Sequence, residues 1–310
     1  LEVLEVRDCK LSEIDLATFC DYSSLSTLNL QRNMIRYVVN TSTRKCRVYD
    51  TLTDLLLDRN MLTAVNMDLF HIFINLKVLN FHNNSIISLS GRLHHNKLTA
   101  LTLSRNKLDH VDLCGWVYNT LTKLVLDRNM LTTVNMELFN VFSTLRGLVV
   151  QSNNITSLSG QLYHDTLETL SFDGNKLKHL DLCGWYVPSL NTLSIAANEL
   201  STVPECIHSW TRVTSLFLSQ NKLTKFSIES VACMNNLTWL ELQCNQLTEI
   251  TLNSARFPAK LELIDIRTNN LTSLDISFIP AQALDVNVEY NLISRFDVNN
   301  TSQNVTSLRM

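Results

Sequence analysis

Residues 121–131 read LTKLVLDRNML. Leu121, Leu124, Leu126 and Leu131 are the apolar marks of this stretch, and Asn129 stands among them. Counting Leu121 as position 1, the frame places apolar residues at 1, 4, 6 and 11 and asparagine at 9. Positions 1, 4 and 6 can all point inward from a short strand that leads into a turn. Positions 3 and 5 then alternate outward, as strand geometry requires. A sharp turn buries backbone N–H and C=O groups. An inward asparagine amide both donates and accepts, so it can satisfy them.

The frame recurs along the whole chain. Its asparagine returns at Asn33, Asn60, Asn84, Asn106, Asn129, Asn153, Asn175, Asn198, Asn221, Asn245, Asn269 and Asn291, at steps of 22 to 27 residues. Cys9 takes this place in a first copy built on Leu1, Leu4, Val6 and Leu11, and is expected to be a small buried substitute with a weak donor. Thirteen copies fit, and Val305, Leu308 and Met310 open a fourteenth. Such a period specifies a leucine-rich-repeat solenoid. The expected class is an α/β solenoid, a horseshoe of about 13 repeats with a parallel sheet on its concave side. Short 3₁₀ or helical turns and extended segments should form the convex side, with helix mainly in the longer copies. Positions 11, 14 and 16 point inward, as in Leu62, Val65 and Met67. Phe70 and Phe73, Phe139 and Phe142, Trp210 and Phe257 should fill the back of the coil. Six glycines and four prolines fit one continuous domain over residues 1–310. The chain starts inside one copy and stops inside another, so it reads as a fragment lacking both polar caps.

A second repetition is superposed on the first. Residues 52–116 match residues 121–185 at 37 of 65 positions, so a block of three repeats was duplicated. LLLDRNMLTAVNMDLF becomes LVLDRNMLTTVNMELF, and LDHVDLCGW becomes LKHLDLCGW.

Charge and cysteine usage narrow the setting. A mixed surface with net charge −3 does not point to nucleic acid or an anionic membrane. No run of 18 apolar residues is present, so no membrane-spanning helix is expected. Eight asparagines lie in N-x-[ST] sequons and are candidate glycosylation sites: Asn40, Asn83, Asn154, Asn236, Asn270, Asn299, Asn300 and Asn304. Position 17 is polar in most copies, yet Cys114, Cys183 and Cys206 occupy it. Cys183 and Cys206 share a phase in adjacent coils, which brings them to roughly 5 Å, within disulfide range. Cys20 and Cys46, on the backs of the first two copies, can pair likewise. Two such bridges imply a secreted, extracellular protein. Cys114 has no cysteine of its own phase beside it, and Cys244 is a candidate exposed thiol.

Such a coil offers a long surface, and its default function is binding. Position 8 carries Arg32, Arg59, Arg105 and Arg128, with Asp58 and Asp127 beside two of them. This is either a rim of locally paired charge or a docking strip for an acidic partner. In the second half Phe217 at position 5, and Trp239 and Leu263 at position 3, project from successive strands, with Tyr290 further on. Clustered exposed aromatics favour an interface. Nucleophile elbow, P-loop and dinucleotide fingerprint are all missing, so no enzyme and no cofactor are expected. His110 with Cys114, and His179 with Cys183, stand roughly 15 Å apart, too far to share a metal.

Residues 271–294, LTSLDISFIPAQALDVNVEYNLIS, combine an Ile-Pro step, an irregular copy on Ala283, Val286, Val288 and Asn291, and the run Y-N-L-I-S. This stretch resembles the mosquito haemolymph leucine-rich-repeat immune proteins of the Anopheles-Plasmodium-responsive type. The resemblance implies secretion into haemolymph and a non-catalytic scaffold. It implies disulfide-linked assembly, as a homo- or hetero-dimer, with a related leucine-rich-repeat protein. It further implies capture of a processed complement-like thioester protein. The cysteine-rich cap and coiled coil of that family are not in this sequence. The alternative is the ectodomain of a Toll-like or cell-adhesion leucine-rich-repeat receptor.

Overall fold

From the second copy on, the asparagine at position 9 holds the turns of the chain in place. The computed structural model describes residues 1–113, 115–118 and 120–310. In it Asn129 donates from Nδ2 to the carbonyl of Leu126 in its own copy (2.9 Å) and of Leu103 in the copy before (3.0 Å). Its Oδ1 accepts from the N–H of Leu108 (3.1 Å). Asn60, Asn84, Asn221 and Asn245 make the same three contacts. Each buried amide thus closes its own turn and ties it to the preceding one.

The residue before the asparagine is left-handed. Arg32, Arg59, Arg105, Arg128, Cys244 and Tyr290 have φ between 54° and 57°, and Gly174 holds the same place at 64°. L-residues avoid this region by about 1–2 kcal/mol. The adjoining amide bonds hold them in it, and the side chain at position 8 is turned outward as a result.

Two compact units comprise residues 1–154 with 159–166, and residues 155–158 with 167–310. In the first, seven strands pair parallel and in register: Val3–Glu5, Thr27–Asn29, Asp54–Leu56, Val78–Asn80, Ala100–Thr102, Lys123–Val125 and Gly147–Val149. From the second strand on, the middle residues Leu28, Leu55, Leu79, Leu101, Leu124 and Leu148 form a fully buried column. In the second, the strands are Thr169–Ser171, Thr192–Ser194, Ser215–Phe217, Trp239–Glu241, Leu263–Asp265, Leu284–Asn287 and Val305–Arg309. The register shifts between Leu284 and Asp285, within the irregular copy.

Behind each ladder the chain forms 3₁₀ turns. Among the described residues there is no α-helix, even in the 27-residue step, where Arg47–Asp50 is 3₁₀. The spacing explains why. Val65 and Met67 are two residues apart and keep the chain extended, in Ala64–Asn66. Met67, Phe70 and Phe73 are then three apart, the period at which 3₁₀ side chains eclipse, and all three are buried. The Asn66 side chain accepts from Asp68 N–H and caps the turn Met67–Leu69, and Asn135 does the same for Met136–Phe139 in the duplicated block. Extended segments at positions 13–15 also pair in twos, Ala64–Asn66 with Ser88–Ser90 and Lys225–Ser227 with Glu249–Thr251. These caps set a condition on the next copy. Gly91 is left-handed (φ 78°), and a Cβ there would lie 2.7 Å from the Asp68 carboxylate carbon.

Cys9 departs from expectation. It is exposed, and its thiol donates to the Arg7 carbonyl (3.3 Å). This reproduces only the local bond that Asn33 makes to Gln31.

The duplicated block also carries a pair of buried histidines, His95 and His164, each 3% exposed. Nε2 of His95 donates to the Phe73 carbonyl (2.7 Å), while its Nδ1 accepts from Leu98 N–H (3.0 Å). His164 Nε2 meets the Phe142 carbonyl at 2.5 Å. Only a neutral His95 ring fits both partners. Burial lowers the pKa of both histidines, partly opposed by the backbone bonds.

Two outcomes follow. Asn129→Ala strands Leu108 N–H and leaves the Leu103 and Leu126 carbonyls with one amide donor each, from Asn106 and Asn153, so urea unfolding should show a loss of about 2 kcal/mol. Because the histidine pKa values are depressed in the fold, the unfolded chain binds protons first on acidification. Stability should therefore be intact above pH 6.5 and fall below it, by up to about 1.4 kcal/mol per pH unit for each ring. Urea titrations at pH 7.5 and 5.5 measure this, and His95→Gln with His164→Gln should flatten the slope.

Candidate protein-binding site

In the second unit the register builds a surface from outward strand positions. Ser215, Trp239, Leu263 and Asp285 form the row at position 3, and Phe217, Glu241, Asp265 and Asn287 the row at position 5. Trp239 is 42% exposed, whereas Phe217 and Leu263 are half-buried. The Phe217 and Trp239 rings meet edge to face, with centroids 5.5 Å apart and planes at 78°. Such a pair holds both rings in one orientation and adds about 0.5–1.5 kcal/mol beyond area burial. Leu263 lies directly across from Trp239. Tyr290, at the left-handed position 8, is 80% exposed.

Acidic residues that the repeat pattern does not single out border this face. Glu241 pairs in register with Phe217 and accepts from Gln243 Nε2 (2.9 Å). Asp265 is held by Arg267 (3.1 Å), and Asp285 accepts from Thr306 Oγ1 (2.9 Å). All three stand at outward strand positions, which was the signal available in the sequence. The arrangement is an apolar centre with fixed carboxylates beside it, suited to an apolar anchor flanked by basic groups.

In the first unit Arg32, Arg59, Arg105 and Arg128 are exposed. Arg32 lies 3.7 Å from Asp8 and Arg128 lies 3.9 Å from Asp127, both loose pairs of small energetic weight. Asp58 does not pair with Arg59. It is buried and accepts from Asn80 Nδ2 (3.2 Å), because position 7 points toward the ladder while position 8 is turned away.

Among the described residues two disulfides join neighbouring coils: Cys20 to Cys46 (Cα–Cα 4.3 Å) and Cys183 to Cys206 (Cα–Cα 5.1 Å). Cys9, Cys233 and Cys244 are free and exposed. Cys114 lies outside the described residues. Asp181 is close to Cys183 and Cys206, but both sulfurs are spent in the bridge, so the trio offers no thiolate to a metal. His94 is exposed and His95 buried, so these neighbours do not converge either. No helix among the described residues is long and apolar enough to cross a membrane.

The sequons differ in access. Asn83, Asn270, Asn299 and Asn300 are exposed, and Asn154 is half-buried. The amides of Asn40, Asn236 and Asn304 are engaged with Tyr49, Thr211 and Ile279 respectively.

Comparison with known proteins agrees with the fold. The family model described as Leucine rich repeat matches residues 188–247. Lumican of Gallus gallus is 26% identical over 231 residues, which cover 74% of this chain and 58% of lumican. The chain thus spans little more than half of that relative. Leucine-rich repeats and immunoglobulin-like domains protein 3 of Homo sapiens is 27% identical over 146 residues, 46% of this chain and 13% of its own length. Among solved structures, the leucine-rich-repeat domain of APL1B superimposes with TM-score 0.69 at 22% identity, covering all of this chain and 88% of that one. The LRIM1/APL1C complex gives 0.62 at 20% identity, covering 99% and 51%. This chain shares the leucine-rich-repeat fold with these mosquito immune proteins, the group that residues 271–294 resemble. The proteins it resembles are non-catalytic repeat scaffolds.

Mass spectrometry of protein secreted from insect cells should find both disulfides. Glycan occupancy should be high at Asn270 and low at Asn40, Asn236 and Asn304. Equal occupancy at all eight sequons would contradict this ranking by access.

Proposed function

We propose that this chain is a secreted, extracellular scaffold of insect innate immunity, present in haemolymph. It binds a complement-like thioester protein, a related leucine-rich-repeat chain, or both. Phe217, Trp239, Leu263 and Tyr290 are its apolar anchors, and Arg32, Arg59, Arg105 and Arg128 contribute charge. The observation that carries this reading is the half-exposed Phe217–Trp239 pair, set in register with Leu263 on a rigid ladder. An ordered aromatic anchor loses little entropy on binding, and interface hot spots are rich in such residues. The two coil-to-coil disulfides support an oxidising compartment. The shared fold with the LRIM1/APL1C complex supports a leucine-rich-repeat partner.

Immobilised chain incubated with haemolymph, and then with a purified partner of either class, tests the proposal. Trp239→Ala should weaken capture more than about tenfold, equivalent to about 1.4 kcal/mol, with the unfolding midpoint unchanged. Equal capture by the variant would remove this face from the interface.

A further inference from the structure

The triplet Arg-Asn-Met occurs three times, at residues 32–34, 59–61 and 128–130, and residues 105–107 read Arg-Asn-Lys. The central asparagine is locked in the ladder each time, so the flanking side chains have no choice of direction. The arginine before it is left-handed and exposed. The methionine after it has its backbone N–H bonded to the previous coil: Met34 to Leu11, Met61 to Ile35 and Met130 to Leu108, at 2.8–2.9 Å. Its side chain stays in solvent. Met34, Met61 and Met130 are 43%, 44% and 49% exposed. Cationic and apolar side chains therefore run in parallel columns along one edge of the first unit.

We propose that this edge is a docking site for an extended acidic protein segment that also carries apolar side chains. The assignment rests on the reading of the chain as a protein-binding scaffold, and it names the chemistry of one partner segment. Two features favour this occupant. First, the charge is available: Arg59 and Arg105 have no recorded ion pair among the described residues, and those of Arg32 and Arg128 are long. Second, sulfated glycan or phospholipid headgroups would use the cations and leave the thioethers idle. Methionine is polarizable and adaptable, and it suits apolar contacts with a peptide. The dimensions fit a short segment. Adjacent coils are about 4.8 Å apart, so the four steps from Arg32 to Arg128 span roughly 20 Å, about six extended residues. Asp8 holds the first place of the same column, and it would disfavour a uniformly acidic ligand.

The probe is a fluorescein-labelled peptide of alternating Glu and Leu, titrated by fluorescence anisotropy. The titration is run on the chain as secreted and again with Ser85→Ala, which removes the sequon at Asn83 in the middle of the column; binding that appears only in the Ser85→Ala protein would overturn the proposal. Arg59→Gln with Arg105→Gln should weaken binding about tenfold and reduce its salt dependence. Gln220 already stands at this frame position with φ 54°, so the fold accepts glutamine there. Met34→Ser with Met61→Ser should weaken binding about fivefold, and Ser85 shows that serine is accepted at that position. Trp239→Ala should leave peptide affinity unchanged, which separates this site from the aromatic face whatever becomes of the proposed function. The proposal is overturned if the peptide binds all variants alike. It is equally overturned if a polyglutamate peptide, heparin or phosphatidylserine vesicles bind more tightly and without regard to the methionine changes.

Discussion

The structure depends on satisfying the backbone at one bend. Each coil must leave its strand sharply, and the bend buries carbonyl and N–H groups that water cannot reach. One asparagine per coil meets this demand with two donated bonds and one accepted bond, and it does so across two coils at once. Leucines at positions 4 and 6 supply the apolar burial, but they do not fix the pitch. The amide does, because its partners lie at fixed places in the coil before. An aspartate could not donate, and a leucine could do neither.

The same bend imposes a conformation on its neighbour. Position 8 is left-handed in every copy from Asp8 to Tyr290, with Arg, Asn, Ser, Ala, Gln, Cys, Thr or Tyr in the place as readily as glycine. Free chain would avoid this region. Here each coil bears the cost of its own left-handed residue, and the amide bonds on either side offset it. Its consequence is functional. Side chains at positions 8 and 10 stand out from the edge in fixed columns, while positions 3 and 5 stand out from the sheet. Side-chain order is thus supplied by the scaffold before any partner arrives.

Much of this was legible in the residues. The period, the inward positions and the asparagine's task follow from the spacing around Asn129, and Cys20, Cys46, Cys183 and Cys206 stand where stacked coils bring them together. Other features depended on three-dimensional detail. The threefold spacing of Met67, Phe70 and Phe73 favoured 3₁₀ turns over helix, a distinction that composition alone does not make. Cys9 looked like a buried substitute, yet its thiol reaches only its own coil. Asp58 and Arg59 are sequence neighbours that point apart, because the left-handed residue reverses the alternation a strand would have. Glu241, Asp265 and Asp285 were overlooked beside the aromatics, since carboxylates on an outward row resemble ordinary solvated charge until the register places them against Phe217 and Leu263.

The division between inward and outward residues also explains what similarity reveals. Proteins about 20% identical to this chain share its fold over nearly its whole length. The ladder constrains only a few positions in each coil: the inward leucines, the asparagine and the back-side aromatics. Outward positions carry no such constraint, and they are the ones that meet a partner. In the first unit those positions present arginine and methionine, and in the second they present aromatics bordered by carboxylates. Two stretches with the same core therefore present opposite side-chain chemistry, in columns that the fold holds but does not choose.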